Sequence, residues 1–283
     1  MSTQPVAFGC FKLSPDKNTD HCADAIAGAI HAGYTILDFA SAYGTHAALP
    51  LALKKIEVPY EGEVHSKITL KDIREKGCKG AVKAVLEELE LPALDVLYLH
   101  APDAISQDTL DQLQVLKKEE TIKNIGLSNV ALSQLQGLEK NKGFRPDYVQ
   151  VEISPMHHDD TLIRYCVNKG IKLVGYRPLG EGRWLNIKEL TRIAAELSGE
   201  NERVVTVAQV IHRWLTQKGV VPLTKSVSHQ EENIKIDDFS LTDNQIRTID
   251  SLTKSYRQSR TCVWEKFVKE DDLEKVNNWI NDQ

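Results

Sequence analysis

The sequence has no long apolar run and no block of one charge. No apolar segment approaches the roughly 18–20 residues that a membrane-spanning helix requires, so no transmembrane segment is predicted. The first residues, Met1–Pro5, lack the basic and apolar regions of a secretory signal. The 35 Lys and Arg against 40 Asp and Glu give a formal net charge of −5, without a Lys/Arg-rich stretch. We therefore expect neither nucleic acid nor a membrane as a partner.

Cysteine is scarce and irregularly placed. The five cysteines are odd in number and widely scattered, and no two of them have Cys-x-x-Cys spacing. This pattern is typical of reduced thiols in a reducing compartment and not of a disulfide framework. A cytoplasmic location is therefore expected.

Short apolar segments, rich in β-branched and aromatic residues, recur eight times along the chain. They are Val6–Phe11, Tyr34–Phe39, Glu63–Ile68, Leu94–His100, Ile122–Leu127, Tyr148–Val151, Ile171–Tyr176 and Val220–Leu223. Such near-continuous apolar runs favour strands buried on both faces of a parallel sheet. Amphipathic patterns between them predict the helices Asp20–His31, Asp72–Glu90, Ala131–Lys140, Thr161–Lys169, Ile187–Leu197 and Thr206–Gln217.

Eight strand–helix pairs in 283 residues predict an α/β protein with a closed (β/α)8 (TIM) barrel. The alternative is an open doubly wound sheet, but the segment after the first strand lacks its usual Gly-x-Gly-x-x-Gly motif. No low-complexity linker divides the chain, so a single domain over residues 1–283 is expected. Its C-terminal part, 255–283, becomes amphipathic at Leu273, Val276 and Ile280 and should fold back over the barrel.

Ionisable residues follow three consecutive predicted strands at their carboxyl ends, where barrel enzymes carry their active sites. Asp38 ends the second strand and Tyr43 follows five residues later, while Lys67 and His100 end the third and fourth. Each alone has a structural explanation: an ion pair, a wall tyrosine or a hydrogen-bonded core histidine. Together they favour function, because buried charges are costly without partners and perturbed groups concentrate at active sites.

This set of groups suits proton delivery to a carbonyl oxygen. A free tyrosine has a pKa of about 10, and a neighbouring ammonium lowers it and improves the phenol as an acid. Tyr43 would donate the proton, Asp38 would hold Lys67 charged, and His100 would orient the carbonyl oxygen. The electron pair must then come from a cofactor as hydride.

The same residues lie in motifs that resemble the aldo-keto reductase family. The matching segments are Gly33–Tyr43, Ser66–Lys67, Leu94–Pro102, Ile125–Asn129, Gln150–Glu152, Gly175–Gly180 and Pro222–Ser226. The resemblance implies a barrel that binds NADPH, less often NADH, and reduces aldehydes and ketones to alcohols. It also implies a small-molecule carbonyl substrate and a monomer.

The resemblance implies a role for each matching residue. It makes Tyr43 the general acid, Lys67 and Asp38 the partners that tune it, and His100 the group that orients the carbonyl. The residues that it assigns to the cofactor are Ser128, Asn129 and Gln150 at the carboxamide, Tyr176 against the nicotinamide ring, Leu179, Lys225 and Ser226 at the phosphates, and Asn233. Arg177 stands where serine is common in the family and is added as a cofactor-binding candidate that could reach a phosphate.

Two departures from the family pattern affect these expectations. Thr45-His46 replaces the usual Asn-Glu pair after the tyrosine, which leaves the support of this loop open. The segment after Lys225-Ser226 is shorter and lacks the usual arginine, which removes a bidentate phosphate contact. We therefore expect NADPH use with a weakened preference over NADH, and Arg177 is a candidate replacement.

The predicted substrate pocket has unusual walls. Phe11 and Ala101 replace common tryptophans, Phe39 is assigned to the same pocket, and Trp264 is expected to fold over its mouth. Smaller walls suggest an open pocket for bulky carbonyls. The alternative for Trp264 is that it only packs the C-terminal segment down.

The sequence also allows two other functions: a non-catalytic NADPH-binding relative and a metal-dependent barrel hydrolase. Met156–Asp160 resembles a metal cluster, but adjacent residues point in different directions. Asp159 or Asp160 as the N-cap of the following helix explains the segment better. No bound metal is predicted.

Overall fold

A computed structural model describes residues 4–13, 18–56, 59–200, 203–255, 266 and 268–282. In this part of the chain, eight parallel strands form a closed barrel in which each strand pairs with the next in sequence. The strands are β1 Ala7–Gly9, β2 Ile36–Asp38, β3 Glu63–Ile68, β4 Leu94–Leu99, β5 Ile122–Ser128, β6 Tyr148–Glu152, β7 Lys172–Tyr176 and β8 Val220–Thr224. The barrel closes where β1 pairs with β8. This confirms the (β/α)8 prediction, and the open doubly wound sheet is wrong.

Helices occupy the intervals between the strands and the C-terminal part of the chain. They are α1 Thr19–Ala32, α2 Ala48–Lys55, α3 Leu70–Leu89, α4 Gln107–Lys118, α5 Leu132–Lys142, α6 Asp160–Lys169, α7 Lys188–Glu200, α8 Val207–Gln217, α9 Gln230–Ile234, α10 Asp243–Ser255 and α11 Glu270–Asn281. All six predicted helices are present, and two of them, α7 and α8, share the interval between β7 and β8. The sequence analysis gave no bounds for α2, α4, α9 or α10. No helix among the described residues is both long and apolar enough to cross a membrane.

Local signals in the sequence explain where α1 begins and ends. The Asn18 side chain accepts hydrogen bonds from two backbone N–H groups of the first turn, and Asp20 adds a negative charge there. The helix ends at Gly33, whose φ of 102° lies in the left-handed region. Helix α1 therefore has defined ends, and the chain enters β2 three residues after Gly33.

Apolar side chains form two separate layers of the core. The larger layer lies between the barrel and the surrounding helices. The smaller one fills the barrel interior and consists of Ala7, Ile36, Val96, Tyr98, Tyr148, Val174, Val221 and Leu223. Because the interior is packed, a ligand can enter only at an end of the barrel.

The predicted amphipathic C-terminal stretch forms α11. This helix contacts α5 and the 3-10 turn Pro102–Ala104 that follows β4. Its Val276 and Ile280 side chains are buried, and Asp272 pairs with Arg74 of α3 at 2.9 Å. The start of α11 therefore lies beside the carboxyl end of β4.

Candidate active site

The structure brings the four predicted catalytic side chains together at the carboxyl ends of β2, β3 and β4. Lys67 Nζ donates to Asp38 Oδ1 at 2.5 Å and to the Phe39 carbonyl oxygen at 2.9 Å. The same Nζ lies 5.1 Å from the centre of the Tyr43 ring. The Tyr43 and His100 rings are 5.7 Å apart and nearly perpendicular. A phenol, an ammonium and an imidazole therefore meet at one place.

Burial shifts the pKa values of Lys67 and His100. The side chains of Lys67 and Asp38 are only 1% and 2% exposed. Burial lowers the pKa of Lys67, while the charge and hydrogen bond of Asp38 oppose this effect. Burial, together with the Lys67 charge, lowers the pKa of His100 to about 3. The His100 imidazole is therefore neutral near pH 7 and can donate a hydrogen bond from one nitrogen.

The loop that carries Tyr43 is held by α3. Asp72, in the first turn of α3, accepts hydrogen bonds from Ser41 Oγ at 2.6 Å and from the Thr69 backbone N–H at 2.8 Å. Partial burial alone would raise the pKa of Asp72, but the hydrogen bonds from Ser41 and Thr69 lower it. Asp72 therefore stays ionised and fixes Ser41, two residues before Tyr43.

His46 supplies further support for this loop, which the sequence left open. Its Nδ1 lies 2.8 Å from Glu88 Oε2 on α3, and its Nε2 lies 2.8 Å from Ser66 Oγ on β3. The ring is 1% exposed and packs against Phe39 at 5.9 Å between ring centres. His46 thus links the Tyr43 loop to the strand residue next to Lys67.

A second set of polar groups lies on β5, β6 and β7 across the mouth of the barrel. Gln150 Nε2 donates to Asp38 Oδ2 at 2.8 Å, and Ser128 Oγ donates to the Gln150 backbone oxygen at 2.9 Å. Asn129 Nδ2 donates to the His100 backbone oxygen, and the Tyr176 hydroxyl donates to Asn129 Oδ1 at 2.7 Å. These hydrogen bonds join the residues assigned to the nicotinamide to one another, and Gln150 connects them to Asp38.

One cavity of about 1830 Å³ joins both sets of residues. The nine residues predicted to bind the cofactor, which all line this cavity, are Ser128, Asn129, Gln150, Tyr176, Arg177, Leu179, Lys225, Ser226 and Asn233. At its far end Lys225 Nζ donates to the Lys12 backbone oxygen at 3.0 Å, and Arg177 lies 3.4 Å from Glu181. The cavity therefore runs from the phenol of Tyr43 to an end that carries two cations, Lys225 and Arg177, and two carboxylates, Glu181 and Glu232.

His229 also lines this end of the cavity and was missed by the sequence analysis. Its Nδ1 lies 2.8 Å from Ser228 Oγ, and its backbone N–H donates to Ser226 Oγ. Its place in the shortened segment after Lys225-Ser226 was the signal that could have identified it. An imidazole therefore stands in the region where the sequence lacks the usual arginine.

Two of the predicted pocket-wall residues line the cavity. Phe11 and Ala101 line the cavity, and the Phe11 ring lies 5.0 Å from that of Tyr43. Phe39 does not line it, and this prediction is wrong. Successive residues of a strand face opposite sides, so Asp38 points into the barrel while Phe39 packs, fully buried, against His46. Trp264 lies outside the described residues.

Charged side chains extend the cavity beyond Tyr43, and the sequence analysis did not identify them. They are Lys71, Arg74, Glu75, Asp103, Lys269 and Asp272. Burial and the nearby Asp272 carboxylate raise the pKa of Asp103 to about 6. Nothing in the sequence pattern indicated that α3, the turn after β4 and α11 meet at this point.

Comparison with known proteins agrees with the geometry. A model of the aldo/keto reductase family matches residues 5–254. The chain belongs to the aldo/keto reductase family. This confirms the resemblance seen in the sequence motifs.

Individual relatives are similar over most of their length. The chain is 33% identical over 254 residues to a glyoxal reductase of Bacillus subtilis, covering 88% of this chain and 89% of the relative. It is 26% identical to an NAD(P)H-dependent D-xylose reductase of Kluyveromyces lactis, covering 92% of each chain. A crystal structure of an aldo-keto reductase from a deep-sea metagenome library of the Medee basin matches with a TM-score of 0.78 and 25% identity, covering 90% of this chain and 92% of that one.

The segment that resembled a metal cluster has a structural explanation. Asp159 is the N-cap of α6 and accepts a hydrogen bond from the Thr161 backbone N–H. The sequence had predicted either Asp159 or Asp160 at this position. Among the described residues, possible ligand atoms of His158, Asp160 and Asp250 do lie within 4.8 Å of one another. Lys218 Nζ, however, donates to both carboxylates, at 2.6 and 2.8 Å. The Lys218 ammonium therefore supplies the positive charge between these two carboxylates.

Proposed function

We propose that this oxidoreductase transfers hydride from NADPH to the carbonyl carbon of an aldehyde or ketone, with Tyr43 as the proton donor. The observation that carries the proposal is the position of Tyr43 between the Lys67 ammonium and the His100 imidazole, in the wall of the cavity. The name of the D-xylose reductase relative, NAD(P)H-dependent, supports the cofactor class.

The residues across the cavity suit a nicotinamide dinucleotide. Ser128, Asn129 and Gln150 offer hydroxyl and amide groups for a carboxamide, and the Tyr176 ring is available to stack. At the other end, Lys225 offers a point charge for a phosphate. The bound cofactor supplies the hydride that forms the new C–H bond. The chain's own residues provide its orientation and the proton.

Each residue near Tyr43 has a distinct task in the proposed reaction. As the carbonyl carbon accepts hydride, the π electrons move to the oxygen, and Tyr43 donates its proton there to give the alcohol. Lys67 stabilises the phenolate that Tyr43 becomes, and Asp38 keeps Lys67 protonated despite its burial. Neutral His100 donates a hydrogen bond to the carbonyl oxygen and so fixes its position before the transfer.

A panel of carbonyls tests this proposal. We expect the purified protein to oxidise NADPH, followed by nicotinamide absorbance, with one or more members of a panel that includes glyoxal and D-xylose. We expect the rate to be unchanged by a chelator. Tight NADPH binding without turnover of any carbonyl would indicate a non-catalytic relative. Activity that requires a metal and no nucleotide would indicate a hydrolase.

A further inference from the structure

Three hydrogen-bonded side chains lie behind β3, on the side that faces the helices. His46 Nδ1 lies 2.8 Å from Glu88 Oε2, and His46 Nε2 lies 2.8 Å from Ser66 Oγ. We call Glu88, His46 and Ser66 the His46 bridge. His46 and Ser66 are buried, the Glu88 side chain is 55% exposed, and none of the three lines the cavity. Thr45-His46 is also where the sequence departs from the family's Asn-Glu pair, so this arrangement belongs to this sequence.

The order of serine, histidine and carboxylate in the His46 bridge is also that of a hydrolase triad. A nucleophile must reach its substrate. Ser66, however, is 0% exposed and does not line the cavity. It faces the helices, because Lys67, the next residue of β3, points into the barrel. The His46 bridge therefore has no access to a substrate, and its role must be a different one.

The imidazole contacts the chain neighbours of Asp38 and Lys67. Ser66 precedes Lys67 on β3, so a fixed Ser66 side chain also fixes the backbone from which Lys67 extends. The centres of the Phe39 and His46 rings are 5.9 Å apart, and the Phe39 carbonyl oxygen accepts from Lys67 Nζ at 2.9 Å. His46 therefore holds a neighbour of each member of the ion pair, from the side opposite to the cavity.

Helix α3 holds the Tyr43 loop on both sides of the tyrosine. Asp72, in the first turn of α3, accepts from Ser41 Oγ at 2.6 Å, two residues before Tyr43. Glu88, near the end of the same helix, bonds to His46, three residues after Tyr43. The phenol is therefore carried by a segment that is fixed at two points, and Glu88 secures one of them.

The two hydrogen bonds of the His46 ring each have one direction. A carboxylate only accepts, so Nδ1 carries the hydrogen and donates it to Glu88. Burial lowers the pKa of His46, and the Lys67 charge adds to this effect, while Glu88 and Asp72 oppose it. The imidazole is therefore neutral near pH 7, and its Nε2 accepts from the Ser66 hydroxyl. The ring and its two partners thus have a single arrangement.

We propose that the His46 bridge positions Tyr43 against Lys67 for the proposed proton transfer, with Glu88 on α3 as its outer anchor. This inference rests on the proposed function, because it assigns a role in the step that Tyr43 performs. Glu88, His46 and Ser66 are positioning residues, which touch neither cofactor nor substrate.

The distance between Tyr43 and Lys67 sets how strongly the ammonium lowers the pKa of the phenol. At an effective dielectric constant of about 20, a retreat from about 5 to about 6 Å raises that pKa by about 0.4. The same retreat moves the phenol away from the carbonyl oxygen, and a misplacement of about 1 Å can cost on the order of 10² in rate. Loss of the His46 bridge therefore slows the transfer and shifts its pH dependence upward.

Two substitutions of Glu88 separate its hydrogen bond from its charge. Glu88→Ala removes both, whereas Glu88→Gln removes the charge and keeps an oxygen that accepts from His46 Nδ1. The enzyme–NADPH complex is mixed, in single turnover, with the carbonyl of the panel that the wild type reduces fastest, and the rate is followed across pH. We expect Glu88→Ala to lower this rate about tenfold and to raise the pKa of its decline at high pH by about 0.4. Glu88→Gln should keep both wild-type values.

Two further variants complete the experiment. Glu87→Ala is the matched control, because it removes a carboxylate from the neighbouring position of α3 that pairs with Lys83 at 3.6 Å and not with His46. We expect it to keep the wild-type rate and pKa. Ser66→Ala cuts the His46 bridge at its other end and should behave like Glu88→Ala. The dissociation constant of NADPH should stay within about twofold of wild type in all four variants, because the bridge does not touch the cofactor.

The inference is overturned if Glu88→Ala or Ser66→Ala keeps the wild-type rate, or if the rate falls without the rise in pKa, as general loosening would produce. It is also overturned if Glu88→Gln or Glu87→Ala loses as much as Glu88→Ala, because the charge and not the hydrogen bond would then matter. Parallel weakening of NADPH binding overturns it as well. If the wild type reduces no carbonyl of the panel, the proposed function fails instead.

Discussion

Lys67 and Asp38 form an ion pair in which Nζ and Oδ1 are 2.5 Å apart and both side chains are almost fully buried. Such a pair is costly to desolvate, and removing one partner leaves an uncompensated charge in the barrel. The place of this pair at the carboxyl ends of β2 and β3, beside Tyr43, is explained better by the proposed proton transfer than by a contribution to the stability of the fold.

The first prediction concerns this pair. We expect Asp38→Asn to lower the free energy of unfolding by about 3–5 kcal/mol, because Lys67 stays buried and loses its counter-ion. Adding Lys67→Met should restore part of that loss, since the double variant has no unpaired charge. Chemical denaturation of the wild type, both single variants and the double variant measures this. Additive losses in the double variant would show that the two groups do not depend on each other.

The second prediction concerns cofactor preference. The sequence after Lys225-Ser226 lacks an arginine, so we expect the preference for NADPH over NADH to remain below about a thousandfold. Lys225→Met should weaken NADPH binding about five- to tenfold and leave NADH binding nearly unchanged, because only NADPH carries the 2′-phosphate. Lys188→Met, on the exposed start of α7, is the control. If Lys225→Met weakens the binding of both nucleotides equally, Lys225 does not contact the 2′-phosphate.

The third prediction concerns stability at low pH. Burial lowers the pKa of His212 to about 4, against about 6.5 in an unfolded chain. The unfolded chain therefore binds this proton at a higher pH than the folded protein does. Stability rises with pH in this window, and up to about 3 kcal/mol is lost as the pH falls from about 6.5 to about 4.

The variant His212→Asn tests this prediction, because it keeps a donor for the Asn233 carbonyl oxygen near His212 Nδ1 and cannot titrate. We expect the free energy of unfolding of His212→Asn to change less between pH 7 and pH 4.5 than that of the wild type. His31→Gln, at an exposed position of α1, should retain the wild-type slope. Identical slopes for His212→Asn and the wild type would contradict the buried neutral imidazole.

The fold was predictable because it depends on patterns with a fixed period. Apolar runs located all eight strands, and the ends of β3 match the prediction at both residues. Helix α2 was missed because it is short and contains Pro50. The patterns also missed α9, which has five residues. Short helices are defined by packing more than by their own periodicity.

The candidate site was predictable where strand topology alone brings residues together. Asp38, Lys67 and His100 end consecutive strands, and a parallel barrel places such ends side by side. Phe39 was assigned wrongly although the alternation of side chains, applied from Asp38, already places it on the other face.

Contacts that depend on register between distant segments could not be predicted. The bridge from His46 to Ser66 and Glu88 joins a loop, a strand and a helix. The bond between Tyr98 and His65 requires the register of β3 and β4 and the space above Gly126. Neither follows from spacing along the chain.

Tyr43→Phe is the sharpest test of the proposed proton transfer. The substitution removes the proposed proton donor and keeps the ring that packs against Phe11 and His100. We predict that kcat for carbonyl reduction falls by about 10²–10⁴-fold, while the dissociation constant of NADPH stays within about threefold of wild type. A Tyr43→Phe variant that keeps more than about a tenth of the wild-type kcat would contradict the account.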